Sequence, residues 1–324
     1  MMKTSIHTYP TAAQPISAMA SWPATHHQFE PDHILALQAA QATGRPLLIR
    51  GEAGTGKSQL AHAAAAVTGR AFLPVVVAAA TEAADLHWKF DAIARLADAH
   101  AVGNVASPGT DLHVRHYVQP GALWWALNWG TATEKQAGCR HGGALVPATP
   151  PAWTPQKGVV LLIDEIDKAE PDLPNGLLEA MANGAFDVPL LGITVQQDEA
   201  CPRPIIIITT NDERELPAAF LRRCLVLTLQ LPSEDAALRE YLVQRGRLHF
   251  PSLSSGDTLK DCADMLVQDR KEARRQHCYT PGLAEYLDLL RAVQELGTSG
   301  VEGLTKLKHF YFEKQPSPQN GALS

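Results

Sequence analysis

Short apolar runs recur along the chain without the alternation that marks a half-exposed strand. They are Leu47, Leu48 and Ile49 between Pro46 and Arg50, then Phe72 to Val77, Val159 to Ile163, Ile205 to Ile208 and Leu225 to Leu231. Unbroken runs of this length, bounded by turn residues, predict strands covered on both faces. Helical patterns lie between them. Ile34, Leu35 and Leu37 follow Pro31 and Asp32 and open a helix running towards Gly44, and the alanine-rich stretch Ser58 to Val67 stops at Thr68 and Gly69. Leu86, Phe90, Ile93 and Leu96 recur at helical spacing. Strands alternating with helices predict an α/β fold, a doubly wound five-stranded parallel sheet.

The pattern also sets boundaries. Residues 1–28, with Pro10, Pro15 and Pro23 and no hydrophobic period, read as a flexible tail, and an α/β core is expected over 29–232. Within that core, Gly and Pro crowd residues 136–158, predicting a long exposed loop. Over 184–196, Phe186, Val188, Ile193 and Val195 alternate around Gly192 and predict a β-hairpin. From Pro232 only helical patterns remain. Leu238, Tyr241, Leu242 and Arg245 share one face, and Leu259, Cys262 and Leu266 share another. Thr280 and Pro281 start a third helix carrying Leu283, Leu287 and Leu290. A small all-helical domain is expected over 233–313 and a polar tail over 314–324.

Composition narrows the class. The chain has 324 residues, 45% hydrophobic and 19% charged, too apolar for a disordered chain and too weakly charged for a coiled coil. A net charge of −6 supplies no basic field for phosphate backbones, so a nucleic-acid partner is not expected. Five cysteines without a C-x-x-C pair point to a reducing compartment rather than a disulfide or zinc framework. No stretch reads as a signal peptide or approaches the ~20 apolar residues of a membrane span. A soluble, cytoplasmic protein is expected.

Gly51-Glu52-Ala53-Gly54-Thr55-Gly56-Lys57-Ser58 is a full G-x-x-x-x-G-K-[ST] sequence between the first strand and an alanine-rich helix. The glycines let backbone amides curl around phosphates at a helix start, Lys57 reaches the β and γ oxygens, and Ser58 offers its hydroxyl to Mg²⁺. The competing explanation is a plain glycine turn. Val159 to Ile163 runs straight into Asp164 and Glu165, two carboxylates that are costly at the end of a buried strand unless they serve a cation and a polarised water. Asp164 is placed to hold Mg²⁺ and Glu165 to orient or deprotonate the attacking water. Asn211, after the fourth run, can bond a lytic water and a phosphate oxygen together, although asparagine there is also an ordinary turn residue. Arg222 and Arg223 precede the last run. They either neutralise charge on a transferring phosphoryl group or cap a helix end.

GEAGTGKS, LLIDEIDKA, ITTN and LRRC, in this order around five strands with a helical lid, resemble an AAA+ ATPase. IDKAEPDLPNGLLEAM and the hairpin after it resemble the MoxR branch. The resemblance covers roughly residues 29–300. It implies nucleotide binding by Gly51, Ala53, Gly54, Thr55, Gly56, Lys57, Ser58 and Gln59, with Ser58 and Asp164 on the metal. It implies Lys57, Glu165, Asn211 and Arg223 as the catalytic set, where Arg223 is a finger reaching a neighbour's site and Arg222 its alternative. The implied cofactors are ATP and Mg²⁺, and no Asn-Lys-x-Asp guanine-reading element is present. The implied assembly is a ring, usually of six. The implied partner is a protein client to be remodelled or matured, in some relatives one bearing a von Willebrand factor A domain. Relatives start the third lid helix with Ser-Pro-Arg, whose arginine touches the γ-phosphate. This chain has Thr280-Pro281-Gly282, leaving Arg274, Arg275 or Arg291 as substitutes.

Three features stand apart. Trp124 and Trp125 point about 100° apart on a helix, which leaves one free to grip a partner, though aromatic clusters mostly serve as core. His113, His116, Cys139 and His141 have ligand-like types without ligand spacing. Arg270 to Arg275 reads as a solvated helix face, with nucleic-acid contact as the alternative. Two other functions compete with a client-remodelling ring: a nucleic-acid motor, and an ATP-binding scaffold with little hydrolysis.

Overall fold

A computed structural model describes residues 6–19, 21–103, 111–140, 147–276, 279–297 and 301–312. The chain divides into two compact units, residues 1–50 with 58–228 and residues 51–57 with 229–324. The expected tail over 314–324, His141 and Cys278 lie outside the described residues.

In the first unit the strands are β1 (Gln14–Ile16), β2 (Thr25–His27), β3 (Leu47–Arg50), β4 (Ala71–Val76), β5 (Trp88–Phe90), β6 (Val118–Pro120), β7 (Val159–Asp164), β8 (Ala185–Val188), β9 (Ile193–Gln196), β10 (Ile205–Thr210) and β11 (Leu225–Thr228). Five of them form a parallel sheet in the order β11-β3-β10-β7-β4. These are the five apolar runs of the sequence. All six residues of β10 and the first five of β7 are buried, so unbroken hydrophobicity does mark strands sandwiched by helices. Around the sheet lie α1 (Pro31–Thr43), α2 (Lys57–Thr68), α3 (Ala83–His87), α4 (Ala92–Gly103), α5 (Ala122–Leu127), α6 (Trp129–Ala137), α7 (Asp172–Asn183) and α8 (Ala218–Leu221). Order β3-β10-β7 puts the strand that leads into Asn211 between the strand that enters the glycine loop and the strand that leads into the acid pair.

Two expectations fail. Residues 6–19 and 21–28 are not a tail: β1 pairs with β2, Tyr9 and Ile16 are buried, and Trp22 packs edge-on against Phe72 at 5.2 Å. Their anchors are single apolar residues separated by polar ones, which leave no period to read. The helix expected through Leu86, Phe90, Ile93 and Leu96 is broken into α3, β5 and α4, because Trp88 to Phe90 pair with Val118 to Pro120 and Asp91 Oδ1 accepts from the Ala94 amide to start a new helix. Ile93 and Leu96 are then 83% and 60% exposed. β8 and β9 form an antiparallel hairpin with Gly192 at φ 64° in its turn. Trp124 and Trp125 are both buried, and Trp124 Nε1 donates to Thr131.

The second unit carries α9 (Asp235–His249), α10 (Thr258–Gln276), α11 (Leu283–Leu296) and α12 (Val301–Phe312), the last of which the periodicity did not resolve. Leu242, Cys262, Leu266, Tyr286, Leu290 and Leu304 fill its core. A Cβ at Gly246 would stand 2.8 Å from the Tyr286 hydroxyl, so glycine is what lets α9 and α11 approach. Among the described residues no helix is long and apolar enough to cross a membrane.

Candidate active site

The glycine loop belongs to the second unit by its contacts. Gly51 sits at φ 146°, and a Cβ there would be 2.2 Å from the Leu229 carbonyl, so no other residue fits. Gly54 and Gly56 also take positive φ, at 74° and 94°. Thr55 Oγ1 donates to the Glu52 carbonyl at 2.9 Å and closes the loop on itself. Lys57 is buried and folds back so that Nζ donates to the carbonyls of Gly51 and Glu52 at 2.8 and 2.9 Å. Those two carbonyls hold the ammonium against the loop's own backbone. Ala53 is exposed.

In the first unit, the parallel register sets Ile208 beside Ile163, so Thr209 lies alongside Asp164 at the carboxyl ends of β10 and β7. Asp164 Oδ1 accepts from Ser58 Oγ at 2.6 Å and from Thr209 Oγ1 at 2.5 Å. Thr209 Oγ1 in turn accepts the Glu165 amide at 2.9 Å. One hydroxyl thereby locks the acid pair to the neighbouring strand. Glu165 is left-handed, at φ 60° and ψ 49°, a conformation costing a non-glycine residue about 1–2 kcal/mol. Strain of this kind gathers at functional sites. Its carboxylate is 2.6 Å from Lys168 Nζ and accepts from Asn211 Nδ2 at 3.5 Å. That hydrogen bond and charge push the Lys168 ammonium above its usual range. Gln59 Nε2 is buried with no hydrogen-bond partner among the described residues.

Two residues that the sequence did not single out hold the turns that carry the candidate residues. Asp167 is buried, and its Oδ2 accepts the amides of Asn211 and Glu213 at 3.1 and 2.9 Å, pinning the turn that carries Asn211. Arg45 gathers the end of α8: its guanidinium donates to the carbonyls of Arg222, Arg223 and Cys224 at 2.5, 3.1 and 3.0 Å. A cation there suits the negative end of a helix. Arg222 and Arg223 are exposed, and Arg223 Nη1 donates to the Ala219 carbonyl. The structure brings Ser58, Asp164, Glu165 and Asn211 into one network; the two arginines stand on a separate turn. Asp167 has a signal in hindsight, an acid within an otherwise buried turn, whereas Arg45 has none.

Among the proposed substitutes for a lid arginine, Arg291 pairs with Asp288 on its own helix, Arg275 is exposed, and Arg274 Nη2 lies 3.8 Å from Glu52 Oε1. The solvated face expected over Arg270 to Arg275 does not include Arg270, which is buried. It faces inward because α10 turns that position towards the unit's core, beside Leu266 and Val267. Among the described residues no group of three His, Cys, Asp or Glu could hold a metal by itself. His116 bonds Asp111 at 2.9 Å and the Gly138 carbonyl at 3.1 Å, and Cys139 donates to the Val118 carbonyl at 3.2 Å.

A glycine loop leaving one parallel strand, an acid pair at the end of another and an asparagine just after the strand between them define a P-loop nucleotide-binding fold of AAA+ topology, followed by a helical region. The chain belongs to the AAA family: the description "AAA domain (dynein-related subfamily)" matches residues 46–224. Similar solved structures include two variants of RuvB from Thermotoga maritima. The proline-to-glycine variant is 16% identical, with 86% of this chain and 68% of that chain covered and a TM-score of 0.44. The lysine-to-arginine variant is 14% identical, with 85% and 66% covered and a TM-score of 0.43. This chain therefore spans about two thirds of the length of each. No curated protein sequence matches.

Proposed function

We propose that the protein hydrolyses ATP to ADP and phosphate within a ring of identical subunits, usually six in such assemblies, and uses the cycle to remodel or mature a protein client, as in the MoxR branch. The observation that carries the hydrolytic reading is Asp164 Oδ1 held by the hydroxyls of Ser58 and Thr209 at 2.6 and 2.5 Å, with Glu165 next in the chain. Hydroxyl and carboxylate oxygens are the donors a Mg²⁺ ion takes, so this set fits the ion. Ser58 and Asp164 would hold it. Bound there, the ion would supply positive charge to offset that of the phosphates.

The chain's own groups supply the rest. The amides of Gly54 to Ser58 and the Lys57 ammonium bind and orient the phosphates, with Gly51, Ala53 and Gln59 completing the loop and its helix. Glu165 accepts a proton from the attacking water as the oxygen bonds to the γ-phosphorus and the β–γ bridging bond breaks. Asn211, fixed by Asp167, orients that water through its paired donor and acceptor. Arg223, with Arg222 as alternative, completes the site of a neighbouring subunit, and Arg45 holds its turn. This reading treats 29–232 as the catalytic core and 233–313 as the lid. It places the protein in the cytoplasm with a protein client, one with a von Willebrand factor A domain among the candidates, and without nucleic acid or membrane as partner.

Phosphate release by wild type and Glu165→Gln tests it. Wild type should turn over, and Glu165→Gln should bind ATP normally while losing about 10²–10⁴-fold in rate. Equal, negligible rates in both would leave an ATP-binding scaffold.

A further inference from the structure

Thr280-Pro281-Gly282 leaves α11 without an arginine in front of it, and the second unit shows what occupies that place. Gly282 faces the phosphate loop: a Cβ there would lie 3.1 Å from the Ala53 carbonyl. The Ala284 amide donates to the Gly54 carbonyl at 3.1 Å, and a Cβ on Gly54 would meet Glu285 Oε2 at 3.1 Å. The first turn of α11 therefore lies against the loop backbone itself. Arg270, from α10, fastens the same junction. Its Nη2 lies 2.7 Å from Glu52 Oε2 and its Nη1 donates to the Pro281 carbonyl. A single guanidinium thus joins the loop's carboxylate to the entrance of α11.

The burial is asymmetric. The Arg270 side chain is 3% exposed and that of Glu52 50% exposed. Among the described residues Glu52 is the only carboxylate partner of this buried cation. A buried charge must be paired, so Glu52 is held wherever Arg270 is held. Glu52 is also the residue whose carbonyl accepts from both Thr55 and Lys57. Fixing its side chain fixes the peptide that shapes the loop.

We propose that Arg270 and Glu52 are a positioning pair through which the helical unit sets the conformation, and hence the nucleotide affinity, of the phosphate loop. The inference rests on the reading that this loop binds ATP. Arg270 acts on the loop rather than on a terminal phosphate, so its loss weakens the diphosphate and the triphosphate alike. An arginine that read the γ-phosphate would affect the triphosphate alone.

The test titrates fluorescent ADP and ATP into the full chain carrying Glu52→Gln, Arg270→Met or both, with melting temperatures measured in parallel. Each single variant is expected to weaken both nucleotides by about tenfold, roughly the coupling of 1.4 kcal/mol typical of residues in one network, and the double variant is expected to be no weaker than either single one. Glu52 is half exposed, so Glu52→Gln keeps the test open should Arg270→Met fail to fold. Affinities within about twofold of wild type in folded variants would overturn the pair, whether or not melting shifts. Weakening confined to ATP would also overturn it, because it assigns Arg270 to the terminal phosphate. Wild type that binds neither nucleotide would sink the loop reading, and the pair with it.

Discussion

Asp164 shows how much one side chain depends on its neighbours. Its Oδ1 takes hydrogen bonds from Ser58 and Thr209, and Thr209 also accepts the Glu165 amide, so a single hydroxyl serves both acids. Replacing Thr209 by Val keeps the strand shape but leaves a partly buried amide and part of a carboxylate unpaired. Thr209→Val should cost about 1–3 kcal/mol in urea unfolding and lower turnover with it; unchanged stability would mean that this hydroxyl bridge is not formed in solution. Ser58, Asp164, Glu165 and Asn211 were readable because each falls at a fixed offset from an apolar run or a glycine. Thr209 was hidden inside its own run, since a threonine in a buried strand looks like any β-branched residue. Asp167 and Arg45 act on backbone groups brought near by the fold, and sequence spacing carries no trace of that.

The strands were the most legible elements and the insertions the least. Five unbroken runs gave five parallel strands, whereas β1, β2, β5 and β6 are three residues each, too short for any period to register. His87 closes α3, where it stacks on Phe186 of the hairpin at 4.7 Å, and among the described residues its buried Nε2 has no hydrogen-bond partner. Burial pushes this imidazole down from 6.5 to about 4. The unfolded chain takes up the proton near pH 6.5 and the folded chain only near pH 4, so protons favour unfolding between those values. The His87 contribution to stability is full above pH 6.5 and should fall by up to about 1.4 kcal/mol per pH unit between there and about pH 4. His87→Phe should flatten that part of the acid dependence in thermal melts. An unchanged slope would show that His87 is not the group responsible.

Over the whole molecule, composition and charge excluded classes rather than choosing one, and the choice came from the order of short motifs around the sheet. The α/β sheet and the helical region after it were visible in the sequence. The assignment of residues 51–57 by contact to the helical unit was not, because it arises from Gly51 against Leu229, Gly54 against Ala284 and Glu52 against Arg270, pairs far apart in the chain. Gly282 read as a loss in the sequence and is a close backbone approach in the fold. Ring assembly and client follow only if the loop from Gly51 to Ser58 and the acid at Asp164 serve one nucleotide. Calorimetric titration of ATP into the full chain, with and without Mg²⁺, probes this most directly. Wild type should bind one ATP per chain, more tightly with Mg²⁺, and Lys57→Ala should abolish the signal. Binding of equal strength in Lys57→Ala, or no binding by the folded wild type, would contradict it.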